Sequence, residues 1–127
     1  MGVLLDTHIA VWAIAQSSKL YQTERELIRR STGHIYVSVV TLCEIAVNAK
    51  QSRAAFDPFP FSVEEGIKLF AAANFTILPV LPPHAAQMEL LPVLHKDPFD
   101  RLLISQSKAE NLVFVSRDRI LQAYFKH

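Results

Sequence analysis

Asp6, Glu44, Asp100 and Asp118 are the residues whose types and placement suit chemistry. Asp6 follows the apolar run Val3-Leu4-Leu5, and Asp118 comes just after Leu112-Val113-Phe114-Val115. Glu44 sits inside the apolar segment 37–49, and Asp100 lies in Asp97-Pro98-Phe99-Asp100-Arg101. In an open parallel sheet, groups just beyond the carboxyl ends of strands converge on one crevice. Carboxylates gathered there repel one another and raise each other's pKa values unless a cation sits among them. Hard oxygen ligands of this kind suit Mg²⁺ or Mn²⁺. The chemistry such a cluster suits is metal-dependent hydrolysis of a phosphodiester bond.

Taken singly, most of these acids have a structural explanation. Asp6 can N-cap a helix starting at Thr7. Asp97 before Pro98 is a strong N-cap-then-proline start, so capping comes before metal ligation in reading it. Asp100 is then the third helical residue, where a carboxylate favours the helix dipole. Asp118, after Ser116, can cap a last short helix. Glu44 has no such role. In a helix from Val40, Leu42, Ile45, Ala46 and Ala49 form a core stripe, and Val40, Cys43 and Val47 make much of the rest apolar. Thr41, Glu44, Asn48 and Gln51 are left as one narrow polar stripe. A helix apolar nearly all round is expected to be buried, and a buried carboxylate needs a partner. Capping does not require all four acids, and together they form a joint signal.

Other reactive side chains read as structural. His8 and His95 flank Asp6 and the Asp97 cap. Trp12 and Phe70 fall at helical spacing with core residues, and Cys43 among its apolar neighbours predicts a buried thiol.

The elements that position the acids follow from hydrophobic patterning. Strand-like runs occur at 3–5, 34–39, 75–80 and 112–115. Helix-like segments fall at 7–15, 22–32, 40–51, 62–73, 83–91 and 98–110, with a short one near 117–125. Alternating strands and helices predict βαβ units with right-handed crossovers: an α/β fold around a parallel sheet covered on both faces. The continuous apolar run at 112–115 predicts a strand buried on both sides. Residues 51–61 break the pattern with Phe56, Phe59, Phe61, Pro58 and Pro60. Either this loop folds back on the core, or it forms a contact with another chain.

The 127 residues fit one domain, 1–127, that is half hydrophobic and a fifth charged. A formal net charge of +1 gives no global field for nucleic acid, so such binding would rest on local cations or a metal. One cysteine and scattered histidines argue against a Cys/His zinc site. There is no signal-peptide pattern, and no run reaches the roughly 18 apolar residues of a membrane span. A cytoplasmic protein without membrane association is expected.

Four segments together resemble the PIN domain family, and within it the VapC-type toxins of toxin–antitoxin modules. They are Leu4-Leu5-Asp6-Thr7-His8, then Val37-Ser38-Val39 leading to Glu44-Ile45-Ala46, then His95-Lys96-Asp97-Pro98-Phe99-Asp100-Arg101-Leu102-Leu103-Ile104, and Val115-Ser116-Arg117-Asp118. The third is the most specific. Two departures are the lack of a glycine in Ala49-Lys50-Gln51-Ser52-Arg53 and a Ser116 where threonine is common. The resemblance implies a three-layer α/β/α fold with a sheet of four to five strands. It implies Mg²⁺- or Mn²⁺-dependent RNA cleavage, a homodimer, and inhibition by a small antitoxin. By position, Asp6, Glu44, Asp100 and Asp118 would be the catalytic acids. Asp6, Asp100 and Asp118 would serve the metal, with Asp97 as a further candidate. Beside these acids, Thr7 and Ser116 are placed either to hydrogen-bond the carboxylates or to cap helices, and Lys96, Arg101, Arg117 and Arg119, their neighbours in sequence, either meet RNA phosphates or stand as solvated surface charges. Two other readings are a phosphoacceptor signalling domain and a catalytically silent RNA-binding module.

Overall fold

The computed structural model describes residues 2–50 and 59–125. Four parallel strands form the sheet: β1 (Val3–Leu5), β2 (Ile35–Ser38), β3 (Thr76–Leu78) and β4 (Val113–Val115), in the order β3-β2-β1-β4. Between β1 and β2 lie α1 (Thr7–Ile14) and α2 (Gln22–Arg30); α3 (Val39–Lys50) and α4 (Val63–Ala72) link β2 to β3. α5 (Pro82–Glu89) and α6 (Pro98–Ala109) return the chain to β4, and α7 (Arg119–Gln122) with a 3₁₀ turn (Ala123–Phe125) follows.

The alternation of strand side chains makes three layers. Val3 and Leu5 of β1 join Ile35, Val37 and Val115 in a core with α1, Phe70 of α4 and Ile45 of α3. Leu4 points the other way, packing with Phe114, Leu78, Leu103, Ile104 and Tyr124. β1 is buried throughout because it is central and covered on both faces. β4 departs from expectation: it is an edge strand, and Val113 is exposed.

Left-handed asparagines stop two of the helices and launch strands. Asn74 (φ 65°) and Asn111 (φ 57°) follow the C-caps of α4 and α6. Beyond them, Phe75 N–H donates to the Phe70 carbonyl (2.9 Å) and Leu112 N–H to the Ser107 carbonyl (2.8 Å), the six-to-one bond of a Schellman motif. These ends fix where β3 and β4 begin.

Two expectations about helix α3 and the loop after it are corrected or bounded. The α3 helix is not buried all round: Cys43, Ala46 and Val47 are exposed, so the thiol faces outward. The helix spans both cores by Val40 and Ile45 and presents its third side to solvent. Phe59 and Phe61 fold inward onto the α1/α4 core, with Phe61 edge-on to Phe70 at 6.4 Å. Phe56, Pro58 and the glycine-lacking 51–53 stretch lie outside the described residues. Among those described, no helix is long and apolar enough to cross a membrane.

Candidate active site

The order β3-β2-β1-β4 places the switch in chain direction between β1 and β4, and a crevice opens beyond their carboxyl ends. Register sets what meets there. Leu5 pairs with Val115, and Asp6 N–H donates to the Val115 carbonyl at 2.9 Å. Asp6 therefore stands level with Ser116, whose hydroxyl donates to Asp6 Oδ2 at 2.7 Å. The other oxygen, Oδ1, accepts the Thr7 N–H at 2.9 Å and N-caps α1. Burial is the main force raising Asp6 above the usual carboxylate range. The Ser116 hydroxyl, the Thr7 N–H and the charge of His8 oppose it, while Asp118 adds to it.

Glu44 reaches the same crevice from α3. Thr7 Oγ1 donates to Glu44 Oε1 at 2.7 Å and stands 3.1 Å from Thr41 Oγ1. A hydroxyl has one proton, so with Thr7 donating to an ionised Glu44, the fully buried Thr41 donates to Thr7. The chain Thr41–Thr7–Glu44 orients the carboxylate from beneath. Burial chiefly, with Asp100, Asp6 and Asp97 adding to it against the Thr7 hydrogen bond, pushes the Glu44 pKa up to about 7.

Asp100 occupies the first turn of α6. Its pKa is pushed up to about 6 by burial, then by Asp6 and Asp97, with Asp118 adding and His95 opposing. Asp97 N–H donates to His95 Nδ1 at 3.0 Å, so the neutral ring carries its proton on Nε2, 3.7 Å from Asp100 Oδ2. Asp97 itself is exposed and caps α6, its Oδ1 accepting Phe99 N–H at 2.9 Å. Asp118 caps α7 through Ile120 N–H at 2.8 Å.

The four acids are thus linked electrostatically through Asp6 and Asp100, which feel Asp118 and act on Glu44, and three of the four are driven toward protonation. A cation would relieve that stress, which is the sense in which the donor set fits Mg²⁺ or Mn²⁺. Among the described residues, no three acidic, histidine or cysteine side chains close around one point as they stand. Mg²⁺ keeps several waters and takes only one or two carboxylates, so such closure is not required.

Two of the four basic residues expected at phosphates are committed elsewhere. Arg101 donates through Nη1 to the Pro92 carbonyl (2.9 Å) and Tyr124 hydroxyl (3.1 Å), tying α6 to the segment before it. Arg117 donates through Nε and Nη2 to Glu24 at 2.7 and 2.6 Å and to the Lys19 carbonyl. Its guanidinium lies 4.5 Å over Trp12 and 3.6 Å over Tyr21. Lys96 and Arg119 are exposed.

Sequence reasoning placed Trp12 wholly in the core. It is half-buried: it packs on the α1 core and also lines a cleft beside the acids. Thr41 was visible only as a member of the α3 polar stripe. The signal for both was helical spacing, Trp12 four residues after His8 and Thr41 three before Glu44. Phe70, by contrast, is fully buried as expected.

Comparison with known proteins agrees with this geometry. The structure is similar to a chain of the VapBC2 complex from Rickettsia felis, solved bound to a DNA fragment from its promoter: TM-score 0.70, 17% identity, covering 98% of this chain and 93% of that one. It is likewise similar to a chain of DNA-bound VapBC from Salmonella typhimurium, with TM-score 0.66, 17% identity, and 96% and 91% covered. A toxin–antitoxin complex from Klebsiella pneumoniae gives TM-score 0.61, 17% identity, and 92% and 87% covered. No curated protein matches the chain in sequence. The PIN domain family model matches residues 3–126, and with acids carried to one crevice by a four-stranded parallel sheet, the chain belongs to the PIN domain family.

Proposed function

We propose that this chain is a metal-dependent endoribonuclease, the toxin of a type II toxin–antitoxin module. The observation that carries the reading is the stressed acid cluster at the switch point: Asp6, Glu44 and Asp100 are all raised chiefly by burial, Asp6 further by Asp118, Asp100 by Asp6, Asp97 and Asp118, and Glu44 by Asp100, Asp6 and Asp97. Asp6 and Asp100 would hold Mg²⁺ or Mn²⁺, directly or through water, with Glu44 and Asp118 completing the cluster. Such an ion, when bound, lowers the pKa of water and neutralises charge on a scissile phosphate. The protein's own part is preorganisation. Ser116 and the Thr7 N–H hold Asp6 by both oxygens, and Thr41 and Thr7 hold Glu44. His95 partly offsets the charge of Asp100. Lys96 and Arg119, both exposed, are left as the contacts to RNA phosphates.

The similar VapBC and toxin–antitoxin complexes support a small antitoxin as partner. Exposed Leu90, Val93 and Leu94, close together after α5, support an apolar surface covered in a homodimer. The phosphoacceptor reading is weakened by the residues around Asp6, where the cleft holds His8 and Arg117 rather than a free lysine.

The test is cleavage of single-stranded RNA by purified protein with Mg²⁺, Mn²⁺ or chelator. Asp6→Asn and Asp100→Asn keep size and remove charge, so both should lose cleavage by orders of magnitude while remaining folded. RNA binding without metal-dependent turnover in the parent would instead support the silent binding module.

A further inference from the structure

The cleft beside Asp6 has a half that phosphodiester chemistry does not use. Of about 390 Å³, it is bounded by Asp6 and Asp118 on one side and by His8, Ile9, Trp12 and Arg117 on the other. His8, exposed, and Trp12 lie one turn apart on α1 with ring centroids 5.5 Å apart. Arg117 is fixed by the bidentate Glu24 contact and by its stack on Trp12, so it forms a wall rather than a mobile arm. We propose that this cleft is a nucleobase subsite, taking an unpaired base of the strand whose phosphate lies at the acids. The inference rests on the ribonuclease reading.

The division of chemistry within the cleft favours this occupant. Asp6 and Asp118 confine a cation-shielded phosphate to the acidic rim. On the other side Arg117 has its Nε and Nη2 engaged and is poorly placed to clamp a second phosphate. What that side offers is aromatic surface, an aliphatic side chain and a buttressed cation, which suit the π-face of any base. A base held in a duplex cannot enter, so the subsite selects single-stranded or looped RNA.

Trp12 is the chain's single tryptophan, so its fluorescence reports on the cleft without turnover. The experiment titrates the protein, with Ca²⁺ replacing Mg²⁺, with short fluorescein-labelled single-stranded RNAs, intact or abasic at successive positions. Trp12 emission and fluorescein polarisation are followed together, and cleavage of the same RNAs is measured in Mg²⁺. Intact RNA should shift Trp12 emission saturably. Removing the base at one position beside the cleaved bond should abolish that shift and weaken binding about tenfold, the scale of one stacked base. His8→Ala, at an exposed position, should weaken intact RNA similarly and abasic RNA no further; Trp12→Phe should retain most affinity. RNA that binds or is cleaved with unchanged Trp12 emission, or an abasic RNA bound as tightly as the intact one, overturns the subsite and leaves the nuclease standing. Absence of both binding and cleavage overturns the nuclease reading and the subsite with it.

Discussion

Three aspartates in this chain do two jobs because strand ends and helix starts coincide. Asp6, Asp97 and Asp118 each cap a helix, and each carboxylate stands in or beside the acidic crevice. A helix N-terminus favours negative charge, so the backbone that places these acids also makes them tolerable. Asp100 differs, since it caps nothing and is pushed up to about 6 by burial and its neighbours. Asp97→Ala should therefore cost about 0.5–2 kcal/mol of stability and only modestly lower cleavage. Asp100→Ala should abolish cleavage yet leave the metal-free protein as stable or more so, because repulsion is relieved. Thermal melts beside Mn²⁺ titrations separate the two; equal loss of Mn²⁺ affinity would make Asp97 a ligand. The acids and the Asp97 cap were legible because strand ends and N-cap residues have local signatures. The arginines were not: Arg117 sits beside Asp118 in sequence but bonds Glu24, 93 residues away, and no local pattern announces that tie.

At the scale of elements, that tie joins α2 to the β4–α7 turn. Ser116 and Asp118 flank Arg117, so its pair with Glu24 and its stacking over Trp12 and Tyr21 hold the stretch of chain that presents both to Asp6. Arg117 is thus a positioning residue. Glu24→Ala is expected to lower kcat by roughly tenfold to a hundredfold, the cost of about an ångström of misplacement. The exchanged pair Glu24→Arg with Arg117→Glu should recover part of that loss, whereas a merely destabilising change would lower the melting temperature and show no rescue. The strands and helices that carry these contacts were readable from apolar runs and their 3.6-residue period. Helix α3 misled because its sequence is apolar on all but one narrow stripe, yet Cys43, Ala46 and Val47 face solvent. Composition alone does not say which apolar face the sheet will cover. The β4 run misled similarly, since strand order rather than sequence makes it an edge.

For the whole molecule, the crevice should make stability depend on pH in a direction opposite to ordinary salt-bridged acids. Glu44 rises from 4.5 to about 7 and Asp100 from 3.8 to about 6 on folding without metal. Between those values the folded chain holds protons that the unfolded chain has released. Stability of the metal-free protein therefore falls as pH rises through this window. Glu24, lowered chiefly by its hydrogen bond to Arg117, works in the other sense, but its stabilisation is lost only as pH falls below its ordinary 4.5. A divalent cation favours the ionised carboxylates, so Mg²⁺ should raise the melting temperature most on the alkaline side and little where the acids are protonated. Glu44→Gln should flatten the metal-free profile and stabilise the protein above the Glu44 pKa of about 7. The measurement is a series of thermal melts across the window, in chelator and in Mg²⁺, for parent and Glu44→Gln. A metal-free profile of the same slope in both proteins would remove Glu44 as the source of the effect. A Mg²⁺ shift independent of pH would place the ion away from these acids.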